Sequence, residues 1–384
     1  MRRVARFVVP VCFVVATVVA GALTLPWFKL DRAPFAHQYP SAPGVPVGDV
    51  LGVPLAAVPA TNDITQFTIR SLRTLAQALP PEAVNGDAHH LHITEPVVIA
   101  NGGSVLISGP GTITLERGSF IEVAAGGSLQ LRGITVRANG ATNDRGFLLA
   151  LGGTMTLAND HFYGLGRVAT LASGISFVST DARSSITNCT ITDGLNGVYA
   201  TRSSALTISQ NSIFASRLDG IQIQASAAAP MILSNRIANS GHDGISLTGT
   251  HASVRIRDNV VLNSVRYGVL IYNSSGALEL FANRVTGAYD GIVLNSTSHA
   301  AVRANAVSGA QRFALRLSGD TRAVEIAANQ LSDSAVGVYV SGGPRANRIV
   351  SNQYSANGEN VRIRTNSPGN VVVPVPLRSE LASG

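Results

Sequence analysis

From about residue 186 onward the apolar positions of the chain fall into a repeat. Asparagine recurs at Asn188, Asn211, Asn235, Asn259, Asn283, Asn305, Asn329 and Asn352, at intervals of 23, 24, 24, 24, 22, 24 and 23 residues. An aliphatic residue stands three places before each Asn from Ile208 to Ile349, whereas the first copy has Ser185 there. Another apolar residue follows two places after, as at Ile213, Ile237, Val261, Val285, Val307, Leu331 and Tyr354. A second marker comes eight or nine places after the Asn: Gly197, Gly220, Gly244, Gly268, Gly291 and Gly337, with Ala314 once. Beyond that marker Ile221 and Ile223 flank Gln222, Ile245 and Leu247 flank Ser246, and Ile292 and Leu294 flank Val293. Alternation with a period of two means strands with one buried face. A unit of about 23 residues with two or three short strands and no helical segment predicts one coil of a parallel β-helix.

The markers have a chemical reason. A coil must turn sharply between strands, and Asn enters the left-handed backbone region more readily than most residues. Stacked Asn side chains can also bond along the axis like the amide ladders of cross-β structures. Glycine suits the second turn for the same backbone reason. Looser coils are expected over 91–185, with short strands at Val97-Val98-Ile99, Val105-Leu106-Ile107, Ile113-Thr114-Leu115, Phe120 to Val123 and Leu129-Gln130-Leu131. Before them, Ile64, Phe67, Leu72, Leu75 and Leu79 lie at helical spacing and stop at Pro80-Pro81, which predicts a capping helix within 63–87.

Residues 1–31 have a different character. Arg2, Arg3 and Arg6 precede an apolar run from Phe7 to Phe28, read as a signal peptide or signal anchor. Cleavage after Ala22 and retention as a span with Trp27 and Lys29 at the interface both stay open. Either way the body is exported, to the periplasm or cell envelope, and any membrane contact is through this segment alone. Residues 32–62, with six prolines from Pro34 to Pro59, read as an extended linker. The β-helix is expected over 88–366 and a tail over 367–384.

Composition then narrows the function. A chain that is 45% hydrophobic and 13% charged is not disordered. The net charge of +7 falls to +4 without Arg2, Arg3 and Arg6, so the body only permits a polyanionic partner. Lys29 is the sole lysine, and arginine favours planar contacts to carboxylates. No basic run marks a nucleic-acid site. Cys12 lies in the targeting segment, which leaves Cys189 without a disulfide partner, in what reads as a tolerant repeat slot. His89, His90 and His92 have no Cys or paired acids beside them and read as a surface cluster, so neither metal nor cofactor is expected.

Gly146-Phe147-Leu148-Leu149-Ala150-Leu151-Gly152-Gly153-Thr154, then Leu165-Gly166, then Ser173-Gly174-Ile175-Ser176 resemble a stretch of the periplasmic mannuronan C5-epimerases of alginate secretion. Leu91 to Val97 is similar to the start of that family's helix. The resemblance covers roughly 88–345 and is most specific over 146–177. It implies a right-handed parallel β-helix, a uronate-containing polysaccharide and an exopolysaccharide secretion complex. The family's Asp-Pro-His-Asp motif falls on Gln222, Ile223, Gln224 and Ala225. Gln224, at the position of the proton-abstracting His, cannot be a general base. The family's carboxylate-binding Arg falls on Gly249, and its Tyr-Asp falls on Arg167-Val168.

Two readings therefore stand side by side: a C5-epimerase-like enzyme, and a non-catalytic β-helix that binds or protects the polymer during export. For the enzyme, His242 and Asp243 are the surviving acid–base pair. Asp219, Asp243 and Asp290 each precede a marker glycine, so turn chemistry also accounts for them. A hydrolase resemblance at Gly241 to Ser246 lacks the paired carboxylates it needs, and a calcium-assisted lyase would need Asp219, Asp243 and Arg266 on successive coils. For polymer binding, the outward positions of the post-glycine strands supply Tyr199, Gln222, Gln224, Tyr272 and Arg316, joined by Asp219 and Arg266.

Overall fold

The computed structural model describes residues 62–373, apart from 66, 67, 101, 169, 170 and 227. The signal or anchor segment, nearly all of the linker and residues 374–384 lie outside the described residues. Among the described residues no helix is long and apolar enough to cross a membrane.

The chain winds as a right-handed parallel β-helix, because strands that alternate apolar and polar residues can bury one face only by stacking coil on coil. Three sheets result, each with 13 strands among the described residues. The first sheet takes the strands after the marker glycines, such as Ile221–Gln224, Ile245–Thr248 and Tyr267–Tyr272. The second takes the strands that end before the ladder asparagines, such as Met231–Leu233 and Val254–Arg257. The third takes those that follow them, such as Arg236–Ala238 and Val260–Leu262. The looser coils obey the same plan, with Val97–Ile99, Ser104–Ser108, Thr112–Leu115, Phe120–Ala124 and Ser128–Arg132 as strands. The last strand, Val371–Val373, pairs in parallel with Arg348–Val350, so the solenoid continues into the segment read as a tail.

In-register pairing turns the sequence repeat into rows. Ile208, Ile232, Ile256, Leu280, Val302 and Ile326 form one buried row. Val198, Ile221, Ile245, Val269 and Ile292 form another. Each such side chain removed from water is worth about 1.5–3 kcal/mol, and aliphatic neighbours above and below leave few gaps.

The ladder is formed, but one residue out of the expected phase at its start. Asn211 donates through Nδ2 to Asn235 Oδ1 at 2.9 Å, and the chain of amides runs on through Asn259, Asn283, Asn305 and Asn329 to Asn352 at 2.9–3.0 Å. Asn188 is exposed and outside it. Cys189 occupies the slot instead, buried, with its backbone N donating to Asn211 Oδ1 at 2.9 Å. Three residues before Cys189 is Ile186, so the aliphatic pattern that failed at Ser185 is intact in this register. The slot is thus the ladder itself and not a tolerant position. Burial pushes the Cys189 thiol up to about 12, which leaves it unreactive.

Two expected reasons for the markers are corrected. The residue in the left-handed region is the one before each ladder Asn, as at Gln210, Ser234, Asp258, Ala282 and Ala304, with φ of 54–58°. The Asn side chain is committed to the axis, so the neighbour makes the turn. The marker glycines have no positive φ; they are required by space. A Cβ on Gly244 would overlap Val261 Cγ1 in the core and crowd the Gly268 carbonyl of the next coil.

The capping helix is shorter than the spacing predicts. Helix α1 spans Leu72–Ala78, with Ser71 and Thr74 forming a capping box and Leu72 and Leu75 buried. Ile64 and Ile69 belong to strands Asp63–Ile64 and Thr68–Ile69, which cover the open edges of the first and second sheets by pairing with Val97–Ile99 and Ser104–Ser108. An unpaired sheet edge is a stronger local demand than the helical spacing of a few aliphatic residues.

Candidate functional site

The first sheet presents two outward rows. Tyr199, Gln222, Ser246, Leu270, Val293, Arg316 and Tyr339 are in register in one. Gln224, Thr248, Tyr272, Asn295 and Ser318 form the other. The stripe expected from the sequence therefore exists, but its two halves differ. Tyr199 and Gln222 are buried, Tyr199 Oη donates to Gln224 Oε1 at 3.2 Å, and Gln222 Oε1 accepts from Asn196 Nδ2 at 3.0 Å. Burial also pushes the Tyr199 hydroxyl up to about 12, so it stays a donor. Tyr272, by contrast, is 40% exposed.

Along the edge where coils pass from the third sheet to the first, a second ladder runs. Asp219 N donates to Asn196 Oδ1 at 2.9 Å, Asp243 N to Asp219 Oδ1 at 3.0 Å, and Tyr267 N to Asp243 Oδ1 at 3.3 Å. Both carboxyl groups are fully buried. Burial, and for Asp219 also the neighbouring Asp243, holds Asp219 well above the usual carboxylate range and brings Asp243 to about 6. These acids organise the turn from behind the surface, out of reach of solvent.

In front of them, two places before each marker, comes a column the sequence reading did not assemble. It holds Leu218, His242, Arg266, Tyr289 and Arg312, stacked through backbone bonds such as Arg266 N to His242 O at 3.0 Å and Arg312 N to Tyr289 O at 3.0 Å. Burial, and then the Arg266 charge, lowers His242 to about 4, so its imidazole is neutral at neutral pH. Arg266 lies with Nε 3.6 Å from Asp243 Oδ1 and its guanidinium 5.2 Å from the Tyr267 ring centre.

The missed part of the site is the end of this column. Buried Asp290 accepts from Arg312 Nε at 3.1 Å and Nη2 at 2.8 Å, and Arg316 Nη1 is 3.5 Å away. The Arg312 guanidinium lies 4.3 Å from the Tyr289 ring centre and 4.8 Å from that of Phe313. Phe313 stacks on Tyr339 at 4.1 Å, and Arg364 Nε donates to Tyr339 Oη at 3.2 Å. The clue was positional: counting two back from each marker, including Ala314, lines up the His, Arg and Tyr residues.

Other expected residues are plain. His92 pairs with Glu116 at 2.7 Å and His90 lies 3.7 Å from Asp87. No group of three or more His, Cys, Asp or Glu suited to a metal occurs among the described residues.

Glu122, in the same outward row as Ser176, is buried beside Asp63, and its carboxyl is raised to about 7, mainly by burial and then by the Asp63 charge. A raised folded-state value adds stability at low pH that is lost as pH climbs through about 7. Glu122→Gln should melt with the wild type at pH 4 and above it at pH 8, by about 1–3 kcal/mol. Parallel pH profiles of the two proteins in thermal melts would remove Glu122 as the titrating group.

Comparison with known proteins bears on the fold. A family model described as the right handed beta helix region matches residues 119–285, and one described as periplasmic copper-binding protein (NosD) matches residues 231–372. Within the second span the described histidines, His242, His251 and His299, form no ligand cluster, so the residues present do not fit a copper site. Curated proteins give no match. Among solved structures, the periplasmic alginate epimerase AlgG is 16% identical over 81% of this chain and 83% of that one, with a TM-score of 0.74. Tailspike protein 3 of bacteriophage CBA120 is 11% identical over 80% of this chain and 56% of that one, at 0.57. The Dettilon tailspike protein is 15% identical over 74% and 61%, at 0.56. At such identities the shared property is the architecture: this chain is a right-handed parallel β-helix.

Proposed function

We propose that this protein is an exported β-helix that binds an acidic, uronate-containing polysaccharide along its first sheet, in the periplasm or cell envelope. The observation that supports this most is the Arg312–Asp290–Arg316 cluster on Tyr289 and Phe313. Buried Asp290 fixes both guanidiniums, so little freedom is lost when they meet a ligand, and guanidinium geometry suits carboxylates. Arg266 extends the positive edge. A polymer lying along the axis meets equivalent positions of successive coils about every 4.8 Å, with exposed Tyr272 offering a ring face. AlgG, named for alginate, and the tailspikes share the architecture, and the proteins of polymer secretion are the natural partners.

Binding is favoured over epimerisation by His242. A base whose conjugate acid titrates near 4 is weakly driven to take a carbon-bound proton. Gln224, at the aligned position of the family's base, offers none. The competing enzyme reading rests on His242 lying next to Arg266, since a carboxylate on Arg266 would offset the charge that depresses the imidazole.

Both readings meet in one experiment. The purified body is mixed with polymannuronate in deuterated water, with binding followed by calorimetry and C5–H exchange by NMR. We expect salt-sensitive binding, weakened about tenfold or more in Arg312→Ala, since one charge-assisted bond is worth about 1.5–3 kcal/mol, and no exchange. Exchange that disappears in His242→Ala would establish the enzyme instead, and absence of both binding and exchange would remove the polyuronate from either reading.

A further inference from the structure

The opposite edge of the first sheet, where coils pass to the second, holds a cavity of about 290 Å³. Turns of four successive coils enclose it, with His251, Asn273, Ser275, Ser298, Asp320 and Arg322 among its lining residues. Every side chain lining it is polar. None belongs to the His242, Arg266 and Arg312 edge. Tyr272 and Asn295, which belong to the outward row and end their strands, immediately precede Asn273 and Ser296 of the cavity wall.

The groups in the wall are already partly organised. His251 Nδ1 and Ser275 Oγ are 2.7 Å apart, which leaves Nε2 as the free ring nitrogen in that pair. Asp320 engages Arg322 and also Arg345, whose Nη1 is 2.8 Å from Asp320 Oδ1. One carboxylate offsets only one of these two guanidiniums, so this end of the wall keeps a net positive charge. Gly319, at φ +60°, keeps the wall open, because a Cβ there would overlap Ser296 Oγ and Asn295 Oδ1.

This chemistry selects a ligand. Hydroxyls, an amide and an imidazole both donate and accept, as sugar hydroxyls do. The carboxylate of Asp320 adds acceptors, and the surplus guanidinium tolerates an acidic substituent on the ring. The volume lies at the lower end of the roughly 300–1,000 Å³ usual for small-molecule sites, which suits one ring and no more. We propose that this cavity binds a single pyranose unit. It would hold a branch or a chain end beside a polymer on the first sheet, but it does not require that reading, since none of its residues is in the arginine edge.

The test uses the methyl glycosides of glucose, galactose and mannose, with methyl glucuronide as the charged counterpart. Each is titrated into the exported body while the His251 ring resonances are followed by NMR. At least one of these glycosides should shift them saturably in the millimolar range. The response should vanish in Asp320→Ala. It should weaken in Asn273→Gly, which is safe for folding because the matching turn position holds Gly249 one coil earlier. No shift from any of the glycosides, or an unchanged response in Asn273→Gly, would each overturn the proposal. A polyuronate that binds without disturbing His251 leaves the groove reading standing whichever way this test falls.

Discussion

Replacing Asn259 by Ala should destabilise the fold by about 3–4 kcal/mol, from leaving buried polar groups unpaired at about 1–3 kcal/mol each. Asn259 Oδ1 accepts from both Asn235 N at 2.9 Å and Asn235 Nδ2 at 3.0 Å. Its own Nδ2 donates to Ile232 O at 2.9 Å and Asn283 Oδ1 at 3.0 Å. Alanine provides none of these, and water cannot enter a slot that is 0% exposed. The loss also falls in the middle of the stack, where each coil is held mainly by its two neighbours. Asn188→Ala is the control. Asn188 is exposed, so its loss should cost no more than about 1 kcal/mol, the strain of alanine in the left-handed region, which Ala282 and Ala304 already tolerate at the matching turn position. Urea unfolding midpoints compare the two. Equal losses would mean that the ladder begins at Asn188 and not at Cys189.

The second large effect is expected at Asp290. Asp290→Ala removes the buried carboxylate that holds Arg312 and Arg316, whose side chains are only 19% and 18% exposed. Removing one partner of a fully buried pair costs about 3–5 kcal/mol. The partial exposure and the stacking on Tyr289 and Phe313 reduce this, so about 2–4 kcal/mol is expected. Adding Arg312→Leu should recover part of the loss, because an apolar side chain between two rings has no charge to leave uncompensated. Polyuronate affinity, measured well below the melting transition, should fall in both variants. A fully stable Asp290→Ala protein with unchanged affinity would show that the two arginines are placed by their rings alone.

These contrasts mark what could be read from the residues. The alternation in Ile221 to Gln224 and its copies defines strands, and a period near 23 defines coils, because both follow from local backbone geometry. The outward stripe from Tyr199 to Tyr339 was legible for the same reason. The roles of its members were not. Tyr199 and Gln222 are occupied with Gln224 and Asn196, while Asp219 and Asp243 face backbone amides behind the surface. Nothing in alternation distinguishes an outward residue that is covered from one that is free.

The sequence by itself determined the architecture and the composition of the rows: a parallel β-helix with an aliphatic core, asparagine and glycine markers, and a modest basic excess. The tertiary structure decided the phase. Coils of 22, 23 and 24 residues bring different turn lengths into register, so a residue's neighbour along the axis depends on where each turn absorbs its extra residue. That choice put Cys189 in the ladder and Gln210 in the left-handed turn. It also brought Arg312 onto Asp290 across 22 positions and gathered four polar turns around one cavity. Stacking places residues from successive coils a single strand spacing apart, about 4.8 Å, and contacts at that distance are set by register rather than by any local pattern.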